Sequence, residues 1–173
     1  MTLDPRALAV RSAIYDTFVR EGRGATVEEL SKVAGVPLPE VRRSLGELAA
    51  AHAIVLRHDS DAIWMAAPFS GIPTAFLVTA DQPGNTAGAW WANCAWDALG
   101  IAAALAAAGS NAANGAVNVH TICADCGDAI SLVIDAHGAE PVRAVAADGT
   151  RFGSTVLHFA VPAARWWDDI GFT

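Results

Sequence analysis

Ile54-Val-Leu-Arg-His-Asp-Ser-Asp-Ala-Ile-Trp-Met65 places two apolar runs on either side of a polar tetrad, His58-Asp-Ser-Asp61. Strand-forming runs separated by a short turn-forming stretch read as a β-hairpin. What precedes this hairpin gives it its meaning. Over residues 5–21, Val10, Ile14 and Phe18 recur every fourth position among polar Arg6, Arg11 and Arg20, which predicts an amphipathic helix stopped by Gly22-Arg-Gly24. Thr26-Val-Glu-Glu29 has the form of a capping box and opens a second helix that ends at Gly35. Pro37 and Pro39 stand just before and inside the start of a third helix. This helix buries Val41, Leu45 and Leu48 and runs to about His52. Three helices and a hairpin make a winged-helix-like module over residues 1–66.

Past the hairpin, Ala66-Ala-Pro-Phe-Ser-Gly-Ile-Pro73 carries two prolines and a glycine, and marks the expected boundary of a second unit, 67–173. Thr74-Ala-Phe-Leu-Val-Thr79 reads as a strand and Asp81-Gln-Pro-Gly84 as a turn. Trp90-Trp-Ala-Asn-Cys-Ala-Trp-Asp97 leads into an alanine-rich helix ending near Gly109. Further strands are expected over 117–122, 129–134, 142–146 and 155–161. The fold class is α+β: the winged-helix-like module packed on a small mixed sheet with one buried helix.

The 173 residues are 53% apolar and 17% charged, which excludes a disordered chain. Eleven Lys and Arg against 18 Asp and Glu leave a net charge of −7, and Lys32 is the one lysine. The third helix carries Arg42 and Arg43, placed where a winged helix reads DNA, but also Glu40 and Glu47. Without a basic footprint, no nucleic-acid partner is expected. The longest apolar run, residues 98–108, is about half of the roughly 20 residues a bilayer crossing needs. With no signal-peptide pattern at the start and an odd number of cysteines, three, the chain reads as a cytoplasmic protein without a membrane partner.

Chemistry centres on two places. Cys94 and Asp97, three apart at a helix start, share one face. If Asn93 caps that helix, its positive end favours a Cys94 thiolate, and Asp97 can accept and return the proton. A buried cysteine and a carboxylate that only complements the helix dipole satisfy the same spacing. Trp90, Trp91 and Trp96 would make the surroundings apolar. Cys123-Ala-Asp-Cys126-Gly is the second place, the spacing of a zinc half-site, with His120, His137 and His158 as further ligand candidates. A redox pair or two pocket-lining thiols fit it too.

Trp91-Ala-Asn-Cys94-Ala-Trp-Asp97-Ala-Leu99 resembles the active-site segment of the alkylmercury lyase family. Val119-His-Thr-Ile-Cys123 with Gly127 and Ile130-Ser-Leu-Val133, then Leu157-His-Phe159 and Trp166, resemble its later blocks. The resemblance is strongest over residues 75–167 and covers most of the chain. It implies protonolytic cleavage of a carbon–mercury bond. Cys94 would take the metal, a second cysteine would complete its coordination, and Asp97 would pass a proton to the leaving carbon. The second cysteine belongs a few residues before His158, where this chain reads Phe152-Gly-Ser-Thr155 and places Ser154, or Gly153 if the register slips by one. A serine is a hard ligand and does not replace a thiolate on mercury. Four readings stand: a lyase-like enzyme acting on an organometal through Cys94, Asp97 and Ser154; a divergent enzyme in which Cys94 attacks another soft electrophilic substrate; a binding protein holding mercury, copper or zinc on Cys94, Cys123 and Cys126; and a metal-sensing winged-helix regulator. No resident cofactor is required, and the partner is a small molecule or a metal ion.

Overall fold

The computed structural model describes residues 3–80, 88–108, 116–123, 126–135, 143–146 and 161–170. Helix α1 spans Pro5–Glu21, α2 Val27–Ala34 and α3 Leu38–Ala50. Each obeys its local signals. The Asp4 side chain accepts from the Arg6 N–H ahead of α1, and Gly22 ends that helix in the left-handed conformation. The Thr26 and Glu29 side chains form both halves of the capping box. Val10, Ile14 and Phe18 of α1, Leu30 of α2, and Val41, Leu45 and Leu48 of α3 are all buried.

The hairpin follows as β1 (Val55–Leu56) and β2 (Ile63–Ala66), an antiparallel pair. The sheet then runs through the expected boundary at 66/67. β3 (Phe69–Ser70) pairs with β2 on one side and β5 (Ala89–Ala92) on the other. β4 (Phe76–Thr79), β6 (Ala116–Ile122), β7 (Ala129–Asp135) and β8 (Arg143–Ala146) complete eight strands in the order β1-β2-β3-β5-β4-β6-β7-β8. The reading missed β3 and β5: one is two residues long, and the other is half tryptophan beside a helix start, so neither shows alternation over a useful length. The turn expected at 81–84 and, but for Val161, the strand expected at 155–161 lie outside the described residues.

Every described pairing is antiparallel, so among the described residues the sheet is not the mixed one expected. Helix α4 (Ala95–Ala107) does connect strands that run the same way, β5 and β6, but β4 lies between them and pairs antiparallel with both. α4 packs Ala98, Ile101, Ala102 and Leu105 into the core, as its composition predicts. Among the described residues no helix is long and apolar enough to cross a membrane.

Aromatic contacts tie the helices to the sheet. Phe18 stacks on Phe69 at 5.2 Å, and the Trp90 indole N–H donates to the Phe18 carbonyl at 2.8 Å. Tyr15 donates to the carbonyl of Ala67 at 2.9 Å. The sheet is equally constrained at Gly71, just past the end of β3. A Cβ there would lie 2.2 Å from the Ile63 carbonyl oxygen, a backbone atom with nowhere to go. Gly71→Ala is therefore expected to cost about 1–3 kcal/mol in urea unfolding, by forcing β3 away from β2. An unchanged midpoint would show that the strand ends yield freely.

Candidate functional site

Cys94, not Asn93, caps α4. Its backbone is extended, and its sulfur accepts from the Asp97 N–H at 3.4 Å. Asn93 is thereby released for another task. Its amide nitrogen donates to Asp97 Oδ2 at 2.9 Å and to the Phe69 carbonyl at 3.3 Å. Both partners are acceptors, so the orientation of the amide is set by its neighbours. Its Oδ1 is buried without a protein partner. The sequence signal for this role was slight: a polar residue one before a cap is usually solvated.

Burial is the leading influence on both reactive groups. The Cys94 thiol is pushed up from its ordinary value by burial and by the Asp97 charge, against the N–H groups of Asp97 and Trp96, which pull it down. The helix start thus favours thiolate as expected, and desolvation outweighs it. Asp97 is also raised by burial, against hydrogen bonds from Asn93 and from the Cys94 thiol. The resting pair is a half-buried thiol and a half-buried carboxyl, each of raised proton affinity.

The pair opens onto a cavity of about 530 Å³. Its walls are largely apolar and aromatic: Trp64, Trp96, Trp166 and Trp167 contribute, as do Ile54, Met65, Ile72 and Ile170. Of the three tryptophans expected near Cys94, only Trp96 is among the lining residues, and Trp90 is core. The others come from the hairpin and from the segment after the short 3-10 helix Ala163–Arg165, which no local pattern links to Cys94. At the edge His52, in the left-handed conformation at φ 57, stacks on Trp167 at 4.1 Å. The cavity therefore takes walls from both halves of the chain.

Cys123 and Cys126 are not among its lining residues; they occupy the β6–β7 turn. Among the described residues no three His, Cys, Asp or Glu side chains gather as a metal cluster. His120 contacts the hydroxyls of Thr79 and Ser131, at 3.1 and 3.5 Å. Ser154, His137 and His158 lie outside the described residues.

The family model described as MerB, alkylmercury lyase, matches residues 69–172, more than half of the chain. This chain belongs to the alkylmercury lyase family. The match begins at the first residue of β3, leaving the three helices and the β1–β2 hairpin before it. The fold is similar to that in the crystal structure of the mercury-bound form of MerB2, with a TM-score of 0.55 and 22% identity. That likeness covers 76% of this chain and 57% of the MerB2 chain, so this alkylmercury lyase relative spans less than two thirds of the other's length. Among curated proteins, none matches the sequence.

Proposed function

We propose that the protein cleaves carbon–mercury bonds by protonolysis, with Cys94 as the mercury ligand and Asp97 as the proton relay. One observation carries this: a thiol and a half-buried carboxyl one helical turn apart, joined by the Asp97 N–H on the Cys94 sulfur, at the wall of an apolar cavity in a chain of the alkylmercury lyase family. The Cys94 thiol gives its proton to Asp97 as its sulfur bonds mercury. Asp97 then gives that proton to the carbon as the carbon–mercury bond breaks. The bonding electron pair leaves with the carbon, mercury stays at the +2 state, and the products are a hydrocarbon and Cys94-bound mercury. Burial serves both steps, because a raised carboxyl is a better proton carrier and an apolar wall accepts an organic group. No resident cofactor is needed. Ser154, in the place of the second thiolate, offers only a hard oxygen, so a thiol from solution completes the coordination. A reducing cytoplasm supplies such thiols and keeps Cys94 reduced.

The test is to incubate the protein with phenylmercuric acetate and excess thiol, and to measure benzene by headspace chromatography. Release of benzene above that of the thiol alone is expected; mercury bound without benzene would favour the reading as a soft-metal binding protein. That reading is favoured by Cys94 being the one cysteine lining the cavity among the described residues. Asn93→Ala should lower turnover roughly 10- to 100-fold with little change in mercury binding, since it frees the Asp97 carboxyl to turn away. Equal losses in both would make Asn93 a folding residue only.

The regulator reading requires DNA contact. Arg42 is paired with Asp61 at 2.9 Å, and Arg43 and Arg6 both reach Glu40, at 3.0 and 3.1 Å. These exposed pairs are weak, but they compete with phosphate on a chain already carrying −7. Selection from random duplexes should return no motif; a reproducible, salt-sensitive one would restore the regulator.

A further inference from the structure

The cavity beside Cys94 carries more aromatic surface than a thiol and a carboxyl need. Trp64 arrives on β2, Trp96 at the start of α4, and Trp166 and Trp167 after the 3-10 helix. Side chains of this size are mostly withdrawn from water, yet Trp96 is 59% exposed and Trp167 43%. Both line this one cavity. His52 lies against Trp167 with the two rings 10° from parallel, which fixes part of the wall. Trp64 and Trp96 have no such ring partner among the described residues. Met65 adds a thioether, a group that packs well on ring edges. The space of about 530 Å³ far exceeds a methyl group, which is not much larger than a water molecule at about 30 Å³. It falls within the roughly 300–1,000 Å³ of sites that enclose drug-sized ligands.

We propose that the organic group taken by this site is an aromatic ring system held against Trp64 and Trp96, and not a small alkyl group. The mercury end of the proposal rests on the lyase reading; the ring end rests on the tryptophans. Each offset-stacked or edge-to-face contact multiplies affinity by about 2 to 12 beyond the area it buries, so two contacts give about fivefold or more. A saturated ring of the same size gains the area without that factor. A methyl group gains neither and leaves both indoles in water. Trp96 lies between Cys94 and Asp97 on the first turn of α4, so a ring held against it keeps the carbon–mercury bond beside the pair.

The test has two arms, both on the full, reduced chain. In the first, naphthylmethanol and its fully saturated counterpart, neither containing mercury, are titrated separately into the wild type. Binding is followed through the indole N–H signals in nuclear magnetic resonance. The aromatic alcohol is expected to bind about fivefold or more tighter and to shift the Trp64 and Trp96 signals. Equal affinities, or shifts confined to other tryptophans, would overturn the proposal, and this arm needs no variant to fold. In the second arm, kcat/KM for phenylmercuric acetate and for methylmercury chloride is measured with excess thiol in wild type and Trp64→Leu. Dividing variant by wild type for each substrate cancels the different strengths of the two carbon–mercury bonds. The loss should be about 2- to 12-fold larger for phenylmercury and should lie in KM; equal losses would remove Trp64 from the ring site. If neither mercurial is cleaved, the lyase reading fails, and the first arm still decides whether the cavity takes an aromatic ring.

Discussion

Cys94→Ser should lower carbon–mercury cleavage by at least about 10³-fold, because the hydroxyl that replaces the thiol neither ionises usefully nor binds a soft metal. Serine also caps helices well, so α4 should start where it does now and the fold should survive. The far-ultraviolet circular dichroism and urea midpoint of the variant therefore separate chemistry from stability. Stoichiometric mercury titration of the two proteins, with excess thiol present, should show the variant losing cavity binding as well as turnover. A variant that folds and cleaves like wild type would remove Cys94 from the reaction.

Asp97→Asn should spare mercury binding and lower turnover by roughly 10²- to 10⁴-fold, the usual contribution of a positioned proton donor. The amide cannot take the thiol proton or deliver it to carbon. It also has a stability signature of definite sign. Burial raises the Asp97 carboxyl in the folded protein above its unfolded value. The stability this group contributes is therefore fully present below the unfolded value, and is lost as pH rises through the raised folded one. Asp97→Asn should accordingly be more stable than wild type at neutral pH, with the advantage shrinking on acidification. Thermal unfolding across pH 4 to 8 checks this; an advantage that grows at low pH would show that Asp97 is held ionised by its partners. In the wild type, turnover should fall as pH drops through the same raised value, since Asp97 must be ionised to receive the thiol proton.

The amino-terminal helices were legible because their determinants are local. Asp4 and Thr26 satisfy N–H groups two and three residues away, Gly22 and Gly35 end helices by their own backbone freedom, and Val10, Ile14 and Phe18 repeat at the helical period. The hairpin at residues 54–65 followed from the same kind of signal. The pairing of Cys94 with Asp97 was legible too, because three residues at a helix start bring two side chains together whatever surrounds them. The Cys123–Cys126 turn belongs to this class, with Gly127 closing it.

Other features depend on residues distant in sequence. β3 and β5 exist because Phe69 and Ser70 find Ala92 and Trp91 across the sheet, not because either stretch is a strong strand former. The sheet crosses the proline-rich boundary because Gly71 lets the β3 end lie against Ile63. Which tryptophans face Cys94 was likewise a tertiary matter: Trp64 arrives on the hairpin, while Trp166 and Trp167 arrive from near the carboxy end. Asn93 anchors Asp97 only because β3 brings the Phe69 carbonyl to its amide.

From the sequence alone came the α+β class, the three capped helices, and the thiol and carboxylate at the start of α4. Each rests on interactions within about one helical turn, where residue spacing dictates distance. The tertiary structure decided the antiparallel sheet, the cavity walls and the balance of proton affinity at the site. Those depend on burial, and the desolvation that raises both Cys94 and Asp97 comes from chain segments that no local pattern places beside them.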